Sequence, residues 1–169
     1  MITRPRPMAT SSELSAFIAE VRPGLVRSLR LICNEPGIAE ELAQEALARA
    51  VARSSALARM DRPDLWVQRV AVNLARSWIR RRIAERKALS KVGARAEIDE
   101  PRWPVDLELH AALGALSRRQ REVLSLVYLQ DLSIPDAAAV LGIAPGTAKS
   151  HLARGLAQLR QVLEHEEEQ

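Results

Sequence analysis

Apolar residues recur along this chain at intervals of three and four, and no stretch alternates apolar with polar in the two-residue period of a strand. From Ser11 or Ser12 onward, Leu14, Phe17, Ile18, Val21, Leu25, Leu29 and Ile32 share one helical face. Pro23 lies inside this pattern and is expected to kink the helix or divide it in two. Asn34–Gly37 is a turn by composition. A second helix is predicted from Ile38 to about Ser54, burying Ile38, Leu42, Ala46 and Val51, and a loop follows over Ser55–Pro63. Asp64 is placed to cap a third helix, Leu65 to about Lys87, with Val67, Val70, Ala71, Leu74 and Trp78 inward.

From Ala88 to Asp106 the period fails and acids and prolines take over, among them Glu97, Asp99, Glu100, Pro101 and Pro104. That composition reads as a linker, with Trp103 exposed unless something covers it. Periodicity resumes over Leu107–Leu116. Ser117 and Gln120 then form a capping box for a helix with Val123, Leu124 and Val127 inward. Ser133–Arg160 has the form of a helix-turn-helix. Ser133 with Asp136 is a second capping box, Pro135 suits a first turn, and Ala137, Ala138 and Leu141 give a small apolar face. Gly142 can take the positive φ that stops this helix, and Pro145 starts the next. Ala148, Leu152, Leu156, Leu159 and Leu163 make the buried stripe of that last helix.

The expected fold class is therefore all-α, with two small helical domains joined by a flexible linker. The boundaries are a disordered lead over residues 1–10, a first domain over 11–87 and a linker over 88–106. A second domain covers 107–164, and an acidic tail over 165–169 is expected to fray. Composition agrees: 47% of residues are hydrophobic, yet there are only 3 Trp, 1 Tyr and 1 Phe, which favours helices packed through small contacts. Cys33 is alone, which excludes an internal disulfide and a cysteine zinc site and leaves it a core role. The absence of an 18-residue apolar run or signal-peptide h-region points to a soluble, cytoplasmic chain without membrane insertion. No Walker-type loop, His–Cys cluster or pocketed carboxylate pair is evident, so neither catalysis, a cofactor nor a metal is expected.

Three polar faces carry candidate chemistry. On the last helix, Thr147, Lys149, Ser150, His151 and Arg154 crowd the N-terminal half, the end with which a helix in the major groove reads bases. On the third helix, Arg69, Asn73, Arg76 and Arg80 lie opposite the apolar side, and seven bases against one acid stand between Arg76 and Lys91. Such a run can keep a helix soluble or hold a membrane surface, but beside a second DNA-like module it reads best as a phosphate-binding stripe. On the second helix, Glu41, Gln44 and Glu45 share a side, with Glu40 adjacent. By itself that is a solvated acidic face.

In order along the chain, these segments resemble the extracytoplasmic-function group of the sigma-70 family over nearly all of residues 12–163. AEELAQE at Ala39–Glu45 and WVQRVAVNLARSWIRRR at Trp66–Arg82 are similar to its region 2. LSRRQREV at Leu116–Val123 and LGIAPGTAKSHLAR at Leu141–Arg154 are similar to its region 4. The resemblance implies core RNA polymerase and promoter DNA as partners, and a dedicated anti-sigma factor. It places Glu41, Gln44 and Glu45 on the β′ clamp helices. Arg69, Asn73, Arg76 and Arg80 fall to the −10 element, and a base flipped from the non-template strand to the loop Ser55–Pro63. Thr147, Lys149, Ser150, His151 and Arg154 fall to the −35 element, with the second domain's apolar surface on the β flap and the linker toward the RNA exit path. Glu41 stands where the family usually has Asp, Leu47 for a frequent Phe, Ser77 for a frequent Asp, Val127 for a frequent Arg and Ala144 for a common Ser cap. These departures imply a divergent promoter preference or weaker intrinsic binding. The competing readings are a stand-alone helix-turn-helix regulator on an operator and a helical adaptor for an acidic protein; the first leaves the Asn73 helix and the Gln44 face unexplained, the second the Gly142–Pro145 turn.

Overall fold

Thr10, expected within the disordered lead, opens the first helix by a capping box. Its hydroxyl accepts from the Glu13 amide at 3.2 Å, and its own amide donates to the Glu13 carboxylate at 2.8 Å. The computed structural model describes residues 10–91 and 112–166. Residues 1–9, most of the predicted linker with Trp103, and 167–169 lie outside the described residues.

Helix α1 spans Ser11–Cys33 and runs through Pro23 undivided. Pro23 and Ala19, whose carbonyl loses the amide that proline lacks, are both on the exposed side. Water can satisfy that carbonyl while Phe17, Leu25, Leu29 and Ile32 hold the helix to the core. Asn34 then ends it in the left-handed conformation, φ 57°.

Helix α2 is Pro36–Ala52, and its inner face is rotated from the predicted one. Ala39, Ala43, Ala46, Leu47 and Ala50 are buried, Ile38 and Leu42 are half-buried, and Val51 is 47% exposed. An alanine ridge with Leu47 lets α2 lie close against α1 and the long helix that follows, so mostly small residues face inward. Part of the expected loop is a short helix, α3 (Ser54–Leu57), with Leu57 wholly buried.

Helix α4, Pro63–Lys91, begins earlier and ends later than predicted. Asp64 sits within its first turn, paired with Arg62 at 2.9 Å, and the helix takes up residues 88–91 of the expected linker. Val67, Ala71, Val72 and Ala75 pack inward.

The second unit repeats the logic with shorter helices. The Ser117–Gln120 capping box starts α5, Arg118–Leu124, which continues as a π-helical turn over Ser125–Leu129. Val123, Leu124 and Leu126 are buried and Val127 half-buried. Helix α6 is Ile134–Leu141, and Gly142 ends it at φ 68° as expected. Only half of its predicted capping box forms: Ser133 accepts from the Asp136 amide at 3.2 Å, while the Asp136 carboxylate reaches Arg62. Helix α7, Pro145–Glu166, extends past the point at which fraying was expected. Ala148 and Leu152 are buried and Leu156 and Leu159 half-buried on its stripe, and Leu163 lies outside the described side chains. Gly155 lets α7 approach α5, since a Cβ there would stand 3.0 Å from Leu124 Cδ1. The buried residues of both units form one continuous apolar cluster, with Cys33 inside it as predicted. No helix among the described residues is long and apolar enough to cross a membrane.

Candidate nucleic-acid interface

The tight turn at Gly142 throws the start of α7 clear of the core. Thr147, Lys149, Ser150 and Arg154 are exposed there and His151 is half-buried, while Ala148 and Leu152 anchor the opposite side. Ser150 ties its hydroxyl proton to the Gly146 carbonyl at 2.9 Å, which leaves its oxygen as an acceptor. The arrangement is a helix N-terminus with one wall of short polar and cationic side chains, of the kind that reads base edges and phosphates.

The α4 stripe is less open than the sequence suggests. Asn73 is exposed, and Arg80 is exposed with a hydrogen bond to Ser77 Oγ at 3.0 Å. Arg69 is exposed yet donates to the Ala139 carbonyl of α6. Arg76 is turned away from solvent: its side chain is 15% exposed and it grips the wholly buried Glu122 of α5 through two 2.9 Å bonds. Its expected place on a solvated stripe is therefore corrected. A guanidinium reaches a carboxylate whose unit folds against it, and the bidentate geometry favours that over water.

On α2, Glu41, Gln44 and Glu45 are exposed side by side, and Glu45 pairs with Arg49 one turn on at 2.7 Å. Glu40, adjacent, is drawn instead to Arg22 and Arg30 of α1 at 3.1 and 2.9 Å.

Sequence reasoning missed Glu122, Gln130, Ser28 and Asp136 as a set. The carboxylate beside buried Val123 was the available signal, but its main partner lies 46 residues away.

The description of sigma-70 region 2 matches residues 17–84, and that of sigma-70 region 4 matches residues 106–159. An RNA polymerase sigma-E factor of Streptomyces avermitilis is 31% identical over 90% of this chain and 86% of its own length. The chain belongs to the sigma-70 family, in its extracytoplasmic-function group.

The extracytoplasmic-function sigma factor SigF of Caulobacter vibrioides is 35% identical over 78% of this chain and 74% of its own. Among solved structures, the sigma factor RpoE of Bartonella quintana, crystallised with the anti-sigma factor NepR, superposes with a TM-score of 0.75. It is 26% identical over 90% of this chain and 98% of that one. The protein is thus an RNA polymerase sigma factor and not a stand-alone operator-binding regulator, and its family is one of initiation factors, not enzymes.

Proposed function

We propose that this sigma factor divides promoter recognition between its two units while α2 holds core polymerase. The open polar wall of α7 supports this reading most directly, because Thr147, Lys149, Ser150, His151 and Arg154 stand together in the N-terminal half of that helix, away from the side that Ala148 and Leu152 bury. They address the −35 element. Arg69, Asn73, Arg76 and Arg80 on α4 address the −10 element and help open it, with cations supplying salt-dependent affinity and Asn73 a base-edge contact. The loop around Ser55–Pro63 is the place for a flipped base. Glu41, Gln44 and Glu45 dock on the β′ clamp helices, and the apolar surface of the second unit meets the β flap.

An anti-sigma factor belongs among the partners, in keeping with the NepR-bound state of the similar RpoE chain. The work takes place in the cytoplasm, with catalysis left to the polymerase.

Replacing Gln44 and Glu45 by Lys tests the polymerase face. Exposed substitutions of this kind shift stability by no more than about 0.5 kcal/mol, so the chain stays folded while co-elution with core polymerase and promoter-specific transcription fall. Undiminished co-elution would return this face to a merely solvated one.

A further inference from the structure

The segment between α2 and α4 is tied down more firmly than a surface loop needs to be. Arg53 ends α2 and opens α3 within a single residue. Its amide donates to the Arg49 and Ala50 carbonyls at 3.2 and 3.1 Å, and its carbonyl accepts from the Ala56 and Leu57 amides at 2.9 Å. With no spacer between the helices, the backbone of Arg53 (φ −113°, ψ 21°) sets the direction of α3. Leu57 then pins α3 to the core, being wholly buried. The turn back toward α4 is closed by the Arg59 and Met60 amides, which reach the Ala56 and Leu57 carbonyls at 3.1 and 3.0 Å.

Side chains strap both ends of this arch to α4. At the entry, the exposed Arg53 carries its guanidinium over the ring of Trp66, 5.9 Å from the centroid. The indole face attracts the cation, and Trp66 is half-buried in the first turn of α4, so the ring gives a fixed seat. At the exit, Arg62 pairs with Asp64 at 2.9 Å. Between the straps Arg59, Met60 and Asp61 are all exposed. Met60 is 37% exposed at the tip, an apolar side chain set between two charged neighbours. A thioether there is flexible and polarizable, and it packs well against an aromatic ring.

We propose that Met60 packs on the unstacked base and that Arg53 is a positioning residue, holding the arch in its base-receiving shape through Trp66. The inference rests on the assignment of the loop around Ser55–Pro63 to a flipped base. A base leaves the stack only at a cost in stacking and pairing free energy. A loop that had to order itself at the same moment would add to that cost, and one braced beforehand does not. Arg53 therefore acts on the base without touching it.

The test uses the full chain bound to core polymerase. A single strand selected from a random pool by the parent holoenzyme is rebuilt with an abasic residue at each position in turn. Fluorescence anisotropy then gives the ratio of intact to abasic affinity. The parent should show a position at which this ratio is large, and Met60→Ala should bring it toward unity there. An exposed cation–π contact changes an equilibrium about two- to fivefold. Arg53→Ala should lower the ratio by about that factor while the abasic strand binds as it does to the parent. Arg53→Lys, which keeps a cation for the ring, should recover most of the loss. A merely structural role would move the melting temperature and not this ratio. A parental ratio in Arg53→Ala, or a loss in Arg53→Lys as large as in Arg53→Ala, would overturn the strap. Equal losses on intact and abasic strands would overturn it too, and mark Arg53 as a backbone contact. A parental ratio in Met60→Ala would remove Met60 from the base. If no position of the parental strand is sensitive, the flipped-base reading of the loop falls instead, and the inference with it.

Discussion

Arg62, immediately before α4, holds two carboxylates at once, Asp64 in the first turn of α4 at 2.9 Å and Asp136 of α6 at 3.1 Å, and so ties the start of α4 to the scaffold helix of the helix-turn-helix. The hydrogen bond with Asp64 is the larger cause that lifts the guanidinium above the ordinary arginine range, against some opposing desolvation and with Asp136 adding to it. A cation so held stays charged at every working pH, and the bridge responds to salt instead.

The Arg62–Asp136 half of this bridge is 31% and 26% exposed. A double-mutant cycle with Arg62→Ala and Asp136→Ala, read by thermal unfolding, should give a coupling of about 0.2–1 kcal/mol that shrinks as salt rises. A coupling of zero at low salt would mean that Asp64 alone satisfies Arg62.

Glu122 should matter more to stability than Arg76 does. Glu122→Ala leaves the half-buried forks of Arg76, Arg118 and Arg119 without their shared acceptor, a loss of about 3 kcal/mol. Arg76→Ala leaves Glu122 still held by two arginines and costs less. Urea unfolding of the two variants checks the order, and equal losses would show that the carboxylate depends on Arg76 alone.

Cys33 is buried, and desolvation pushes its thiol from 9.0 up to about 12, with Glu35 adding to the rise and Arg121 opposing it. The folded chain thus holds the proton more tightly than the unfolded chain. The stability this confers is complete below pH 9 and is lost as pH rises from 9 toward 12. At pH 8 a thiol reagent should leave the native chain unlabelled and modify it in denaturant; rapid native labelling would contradict the burial.

Recognition and charge should separate on α7. Arg154→Ala should lower the preference for a matched over a scrambled −35 duplex, a bidentate arginine–guanine contact discriminating by about 1–3 kcal/mol. Lys149→Ala should weaken both duplexes alike and flatten the salt dependence by about one unit of slope. Titrations of the full chain across a salt series measure both, and an unchanged preference in Arg154→Ala would make that arginine a phosphate anchor.

Elements whose cause is local are legible in the amino-acid sequence alone. The Ser117–Gln120 box, the left-handed Gly142, the first-turn Pro145 and the α7 stripe depend on residues within a turn or two, so spacing and side-chain chemistry suffice to place them. The order of the family segments likewise lay in the chain, and with it the sigma-factor reading.

What the tertiary structure decided is which of several compatible surfaces each residue meets. A helix can bury either of two adjacent faces when alanines flank its larger residues, and only packing against α1 and α4 chose Ala39, Ala43 and Ala50 over Val51. Asp136 could close its own capping box or reach outward, and Arg62, 74 residues away, settled it. Arg76 has the sequence position of a solvated DNA contact, but Glu122 folds against it and removes it from water. Sequence periodicity reports that a side chain is polar; the partner that satisfies it is fixed by distances that no local pattern contains.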